Sequence, residues 1–282
     1  MTSLLYLLIR AYRTIEWYIK QAKYENFKNY IPFHRKDSTL IILANGPSLK
    51  EDLNKVTQKN NKYDYCVMNA FCKSILFKEL EPIYYVIADP LFFKKELRRK
   101  SEEEVFRLLN ESVLWNMTLY IPFNFYPDFT KEKILVNEKI HIVPYHARHY
   151  EGINCLKEKI YKKGLSMPKI QNVLIPSIFN GINAGYKTIY LCGVDHTWTE
   201  DMRVDNHNRV CLINKHFYND LNLKLEPWLK VNGQQYKMHE ILRTLAIMFE
   251  GYHELQHYSI MNSCKIINFT DKSFIDAFER HG

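Results

Sequence analysis

The sequence predicts an α/β fold with a mostly parallel, doubly wound sheet, and two patterns support this prediction. Short runs of β-branched, aromatic and other apolar residues recur along the chain, and helix-like stretches separate them. Consecutive parallel strands need a crossover connection, usually a helix, so this alternation indicates repeated βαβ units. We therefore expect a Rossmann-like sheet with helices on both faces, an irregular lid, and an amphipathic helix before the first strand.

The N-terminal segment, residues 1–33, predicts that amphipathic helix. Its apolar stripe at helical spacing consists of Leu4, Leu8, Tyr12, Ile15 and Ile19, and basic residues flank the stripe at Arg10, Arg13, Lys20, Lys23 and Lys28. The apolar run 4–9 is too short to cross a bilayer and fits no signal peptide. We expect the helix to lie on a membrane surface, and the alternative is packing on its own domain or on a second copy of the chain.

The first predicted strand begins the segment Thr39–Lys50, TLIILANGPSLK, where an apolar run breaks into a tight turn and then a helix-like stretch. Asn45 and Gly46 suit the backbone angles of such a turn, and Pro47 suits a first helical position. Amide groups at a helix start carry partial positive charge, so we expect this turn, through Ser48, to bind a nucleotide's phosphate or ribose. An ordinary strand-to-helix turn is the alternative, because the motif lacks the P-loop lysine and the GxGxxG spacing.

Later strands and helices continue the alternation. The predicted strands are Tyr65–Met68, Tyr84–Ala88, Leu119–Pro122, His141–Val143, Thr188–Cys192 and Lys265–Phe269. Helices are predicted at Ile175–Ala184 and from about Glu240 to Met261. Near-continuous apolar strand runs are typical of strands that are buried on both faces, so we expect these strands to be covered on both faces by helices.

A second motif follows the strand Thr188–Cys192 in the segment TIYLCGVDHTW. Gly193 allows a close backbone approach, and Asp195 and His196 emerge at the end of the strand, where α/β proteins bind ligands. We expect Gly193 and His196 to contact substrate and Asp195 to take part in catalysis. The alternative is that Asp195 caps the next helix and that His196 is an ordinary surface histidine.

Regular periodicity is lost between Trp198 and Glu240. This segment is rich in histidine and aromatic residues, which include His207, His216, Tyr218, Trp228, Tyr236 and His239. A long polar and aromatic loop beside the carboxyl edge of a sheet is a candidate lid, so we expect residues 198–240 to cover an active site.

The predicted last helix contains an HExxH match, from His253 through Glu254 to His257. Histidines four residues apart share one helix face, as in zinc peptidases. The buried stripe of this helix is expected on the other side, at Ile241, Leu242, Leu245, Met248, Phe249, Tyr252 and Leu255. No third ligand follows at a suitable spacing, so we predict no metal site here.

Composition is that of a globular cytoplasmic protein. With 282 residues, 46% of them hydrophobic, the chain can bury a large core. The net charge of +8 is dispersed among acidic neighbours, so we expect no nucleic-acid binding, whereas an anionic substrate or membrane remains compatible. The six cysteines form no CxxC pair, which indicates small core residues in a reducing compartment.

Taken together, four motifs resemble the bacterial sialyltransferases that use CMP-sialic acid, and the related transferases that modify flagellin and lipopolysaccharide. The motifs are ANGPSLK at the first strand, VMNAF around Asn69, ADPLFF around Asp89, and NAGYKTIYLCGVDH at the central strand. The resemblance runs from about Thr39 to Ala277. It implies a nucleotide-sugar transferase domain over residues 34–282, in a GT-A-like variant of the doubly wound sheet.

The resemblance also implies roles for individual residues. Family asparagines in the second and third motifs approach the donor or acceptor, and here these positions hold Asn69 and Asp89. The family's general base is a histidine before the last helix, which corresponds to His239 of QYKMHEIL, with His216 of HFYND as the competitor. The family's cytosine-binding segment corresponds to the stretch from Thr270 to Ser273. An arginine that the family carries before the central helix is absent, so acceptor identity does not transfer.

The expected chemistry agrees with these residues. A CMP-sugar expels a nucleoside monophosphate, so a helix N-terminus and tyrosine hydroxyls, here that of Tyr218, can replace a metal ion. The chain has no DxD motif. A near-neutral histidine can deprotonate the acceptor hydroxyl as it attacks the anomeric carbon. We expect an inverting, cofactor-independent glycosyltransferase that moves a nonulosonic or related sugar from a CMP donor to lipopolysaccharide or capsule.

Two other functions remain open from the sequence. A pterin pyrophosphokinase-like enzyme would share this type of domain but would need ATP and magnesium, and the lid is poor in clustered acidic residues. A non-catalytic nucleotide-binding protein, docked on the cytoplasmic face of the membrane by its first helix, is the other alternative. Association into a homo-oligomer is compatible with each of them.

Overall fold

The computed structural model describes residues 3–33, 37–57, 63–213, 225–230 and 232–281. Its strands are β1 (Thr39–Leu43), β2 (Tyr63–Met68), β3 (Tyr84–Val86), β4 (Met117–Pro122), β5 (Ile140–Tyr145), β6 (Thr188–Cys192), β7 (Met202–Val204), β8 (Val210–Ile213), β9 (Leu225–Pro227), β10 (Lys265–Asn268) and β11 (Glu279–Arg280). Eight of them form one sheet, in the order β11-β10-β6-β1-β2-β3-β4-β5. All neighbours in this sheet run parallel. The predicted α/β class is therefore confirmed.

Helices cover both faces of this sheet. They are α1 (Ser3–Tyr24), α2 (Leu49–Thr57), α3 (Leu76–Leu80), α4 (Lys100–Ser112), α5 (Tyr126–Glu132), α6 (Asn154–Lys162), α7 (Leu174–Asn183), α8 (Trp198–Asp201) and α9 (Met238–Met261). Alternate residues of β1 enter different cores: Leu40 and Ile42 pack with α7 and α9, while Ile41 and Leu43 pack with α2 and α4. Because successive strand residues face opposite sides, a continuous apolar run fills both cores.

The strand order reverses beside β1, which lies between β2 and β6. From β1 the chain proceeds outward through β5, then returns to β6 on the other side of β1. Two backbone hydrogen bonds join the ends of β1 and β6, from Ala44 N to Cys192 O and from Gly46 N to Gly193 O, both at 2.9 Å. Beyond these bonds the loops after the two strands separate. Such a reversal opens a crevice at the carboxyl edge, where doubly wound proteins bind ligands.

The predicted irregular lid contains more regular structure than the sequence indicated. After α8, the strands β7, β8 and β9 form a separate antiparallel sheet. Strands of three or four residues are too short to produce a readable hydrophobic period, which explains the difference. His216 and Tyr218, the lid residues predicted as competing base and substrate contact, lie outside the described residues.

Helix α1 packs against the domain through a face that carries Thr14 and Trp17. Thr14 Oγ1 lies 2.9 Å from the hydroxyl of Tyr150, and Trp17, only 4% exposed, packs edge-on against the same ring. The predicted apolar stripe points the other way, since its five side chains are between 58% and 67% exposed. The helix thus packs on its own domain, as the alternative expected, but through a face other than the predicted stripe. Within the described residues, no helix has the length and hydrophobicity to cross a bilayer.

Candidate functional site

A cleft of about 570 Å³ opens at the carboxyl ends of β1, β2 and β6, beneath α9 and the small sheet. The structure brings eight predicted site residues to its lining: Asn45, Gly46, Pro47, Asn69, Asp89, Gly193, Asp195 and His196. These residues come from four loops that are distant in sequence, and the parallel sheet gathers them at one edge. A concave site with convergent polar groups is the usual form of a small-molecule site.

Two asparagines at the floor of the cleft have unpaired acceptors. The side-chain oxygens Oδ1 of Asn45 and Asn69 are buried, and neither accepts a hydrogen bond from the described residues. Asn69 adopts a left-handed backbone conformation with φ of 51°, which asparagine tolerates better than most residues. Because a buried acceptor without a donor costs free energy, this pair fits a ligand that supplies hydroxyl or amino hydrogens.

The start of α2 differs from the predicted anion site. The Ser48 hydroxyl donates to Asp195 Oδ2 at 2.9 Å, and the Gly46 amide of the same turn donates to Gly193 O at 2.9 Å. Burial raises the pKa of Asp195, and the bonds from Ser48 oppose that shift. The protein's own carboxylate thus occupies the positive end of the helix. The expectation that the amides of this turn are free for a phosphate is therefore wrong for Gly46.

Gly46 is required by the protein itself. A Cβ atom at this position would collide with Asp195 Oδ2 and with the Gly193 carbonyl oxygen. The sequence predicted Gly46 for the backbone angles of a nucleotide-binding turn, whereas the structure shows that it makes room for the loop after β6. A larger residue at this position would separate the two loops before any ligand binds.

Sequence reasoning missed Asp52, which ties three loops together beneath the cleft. Its Oδ2 accepts hydrogen bonds from Gly193 N at 2.8 Å and Thr270 Oγ1 at 2.5 Å, and it lies 3.1 Å from Ser48 Oγ, whose single proton is shared with Asp195. The carboxylate is 1% exposed, and burial raises its pKa. An acidic residue in a first helical turn looks like an ordinary helix-capping charge, so the sequence carried no signal for this role.

Three residues predicted to contact substrate belong to this internal network and do not line the cleft. They are Ser48, Thr270 and Ser273. Thr270 is fully buried, and Ser273 Oγ donates to Val194 O at 2.6 Å. These side chains hold the loops after β6 and β10 in place, so any effect on a ligand is transmitted through the loops.

His196 lies in a second network, with two residues that the sequence did not predict as site residues, Asn172 and Tyr252. Its Nε2 lies 2.6 Å from the Tyr252 hydroxyl and 3.0 Å from Asn172 Nδ2, and Asn172 also donates to that hydroxyl. Burial lowers the pKa of His196 to about 3. The imidazole is therefore neutral at physiological pH, and it joins the loop after β6 to α9 and to the segment before α7.

Of the lysine, arginine, aspartate and glutamate residues that the structure describes, only aspartates line the cleft. Asp89 follows β3, and its Oδ1 accepts a hydrogen bond from Leu91 N at 2.9 Å, which caps a short 3₁₀ helix. Asp201 at the end of α8 also lines the cleft. Among the lining residues that the structure describes there is no lysine or arginine.

The predicted base His239 is exposed in the first turn of α9, and the structure does not bring it to the cleft lining. The HExxH residues face away as well. His253 is exposed and lies 3.2 Å from Asp276, while Glu254 binds Lys157 and the Tyr161 hydroxyl. Within the described ranges, no group of three or more histidine, cysteine or acidic residues could hold a metal ion.

No protein-family model and no curated protein matches this chain. The ligand of the cleft is therefore inferred from the geometry and chemistry of the cleft itself.

Proposed function

We propose that this chain is an inverting, metal-independent glycosyltransferase that moves a nonulosonic or related sugar from a CMP-activated donor to a cell-surface glycan such as lipopolysaccharide or capsule. The observation that carries the proposal is the pair of unpaired, buried oxygens of Asn45 and Asn69 at the strand reversal. A nucleotide sugar is rich in hydroxyl and amino hydrogens, which are the partners that these acceptors require.

The charge of the cleft favours a donor with little phosphate charge. Asp89, Asp195 and Asp201 line it, without a lysine or arginine among the described lining residues. A CMP-activated nonulosonic acid carries one phosphodiester charge and one sugar carboxylate charge, the same total as the two phosphate charges of a UDP-sugar, whereas ATP carries more. Repulsion from the aspartates therefore disfavours ATP relative to either nucleotide sugar.

The proposed reaction exchanges one C–O bond for another. The acceptor hydroxyl oxygen attacks the anomeric carbon from the face opposite the phosphate, and the bond from that carbon to the phosphate oxygen breaks. CMP leaves with the bonding electron pair, and the proton of the acceptor hydroxyl passes to a base. We assign this role to Asp89, because the Asp195 carboxylate is held by Ser48.

A peripheral position on the cytoplasmic face of the membrane accompanies this proposal. The exposed stripe of α1 provides apolar area for the lipid boundary. Arg10 of α1 donates to Glu151 O in the loop after β5, which lies at the same edge of the sheet as the cleft. A membrane-linked acceptor could then approach the cleft from the surface on which α1 lies.

A ligand panel tests the proposed function. We expect CMP to raise the melting temperature more than UDP, and ATP with magnesium to have no effect. A ligand at a hundred times its dissociation constant stabilises the fold by about 2.7 kcal/mol. Stabilisation by ATP with magnesium alone would favour the pyrophosphokinase-like alternative, and no stabilisation by any nucleotide would contradict the proposal.

A further inference from the structure

One part of the cleft lining is aromatic, and we call it the aromatic wall. Trp198 at the start of α8, Trp228 just after β9, and Tyr236 before α9 form it. Each ring also packs against the core beneath α7 and α9, so one side is supported while another faces the cleft. This wall differs in chemistry from the floor of amides and carboxylates.

The described structure holds these rings in place. Trp228 N donates to Val210 O at 2.9 Å, and Tyr236 N donates to Trp228 O at 3.1 Å. The rings of Trp228 and Tyr236 pack edge to face at 6.3 Å, while Trp198 lies 4.6 Å from the His196 ring. Rings fixed before binding lose little conformational freedom when a ligand stacks on them.

We propose that this wall is the acceptor subsite and that it binds a hexopyranose ring by its C–H face. The inference rests on the proposed function, in which the donor binds at Asn45 and Asn69 and leaves the aromatic wall for the second substrate. One face of a pyranose is largely C–H and stacks on indole, while its hydroxyls need acceptors at the ring edge. Carboxylate and amide side chains also line the cleft, and Asp201 lies three residues after Trp198.

The experiment measures sugar and nucleotide binding separately. Saturation-transfer NMR with methyl β-galactopyranoside reports the sugar, and calorimetry with CMP reports the donor side. Trp228→Ala removes one ring, and Trp228→Phe keeps an aromatic face. Trp115→Phe is the matched control, because Trp115 lies outside the cleft lining and donates to Pro82 O.

We expect Trp228→Ala to raise the dissociation constant of the glycoside about tenfold or more, and the two phenylalanine variants to change it by about twofold or less. CMP affinity should stay within about twofold in every variant. If Trp228→Ala fails to fold, the test uses Trp198→Ala, which removes a wall ring at the start of α8. We expect the same loss of glycoside affinity.

Unchanged glycoside binding in the folded alanine variant would overturn the inference, as would a parallel loss of CMP affinity, which would mean that the wall stacks the nucleobase. Wild-type protein that binds CMP but no glycoside would also overturn it. Wild-type protein that binds the glycoside through Trp228 but no CMP would support the subsite while contradicting the proposed donor.

Discussion

At the scale of single residues, Asp52 joins segments that follow three adjacent strands, β1, β6 and β10. Asp52→Ala leaves Gly193 N and Thr270 Oγ1 without their acceptor, at about 1–3 kcal/mol for each buried group. We expect the free energy of unfolding, measured in urea, to fall by several kcal/mol. Asp52→Asn should cost less, because it keeps one acceptor oxygen and removes a buried charge. Equal stability of the alanine variant and wild type would contradict this role.

His196 should make stability depend on pH. Its pKa is lowered from 6.5 to about 3, so between these values the unfolded chain binds a proton that the folded chain does not. The contribution of His196 is therefore present above pH 6.5 and is lost as pH falls, by about 1.4 kcal/mol per pH unit.

His196→Asn is the comparison for this pH effect, because asparagine tolerates the left-handed backbone at this position, where φ is 56°. We expect the stability difference between wild type and this variant to shrink as pH falls from 6.5 to 4.5 in chemical denaturation. A difference that stays constant with pH would show that the imidazole titrates normally in the folded state.

Substitutions of Asp89 and of His239 test which of the two residues is the general base. Asp89→Asn keeps a side-chain oxygen that can cap the helix at Leu91 but removes the base, so we expect kcat to fall by about 10²–10⁴. His239 is exposed outside the cleft lining, so His239→Ala should leave kcat near normal. Turnover with a CMP-activated donor decides between them. If kcat collapsed in His239→Ala and stayed normal in Asp89→Asn, the histidine would be the general base.

At the scale of elements, the exposed stripe of α1 should bind membranes. Leu8→Glu with Ile15→Glu places two charges on the stripe, and we expect this variant to lose sedimentation with anionic liposomes while remaining folded. The matched control is Ile75→Glu with Leu114→Glu, two exposed apolar positions elsewhere, at 74% and 81% exposure. Equal liposome binding by the two double variants would favour a second copy of the chain as the partner of the stripe.

Deletion of α1 is a poorer test than substitution on its surface. Trp17 packs in a small core with Tyr150, Ile160 and Leu165, and removal of the helix would expose that core. We therefore expect a chain that starts near Phe33 to lose stability. Reduced liposome binding by such a chain would not separate a membrane contact from a damaged fold.

At the scale of the whole molecule, transfer should proceed without a metal ion. A monophosphate leaving group needs less neutralisation than a diphosphate, so we expect turnover to survive EDTA. The control is the same assay after magnesium or manganese is added back. Activity that is lost in chelator and restored by either ion would contradict the proposed mechanism.

Much of the fold could be predicted from the sequence, because strand runs and helix periods are local signals. The strand Thr188–Cys192 was predicted to the residue, and the last helix differs only at its start, Met238 instead of Glu240. Within that helix Leu242, predicted as buried, is 48% exposed. The sequence also predicted one shared site, because parallel strands end at a common edge. The cleft lining does include Asn45, Asn69, Asp89 and Asp195.

The sequence by itself determined which loops meet at the carboxyl edge, whereas the tertiary structure alone decided which of their side chains line the cleft and what each one does there. Asp52 meets Thr270 across 218 residues, and Ser48 meets Asp195 across 147. No local pattern encodes such pairs, because they depend on how strands that are distant in sequence lie side by side. The outward direction of the α1 stripe was decided in the same way. The opposite face of the helix is hydrogen-bonded to the domain, through Thr14 to Tyr150 and through Arg10 to Gly152.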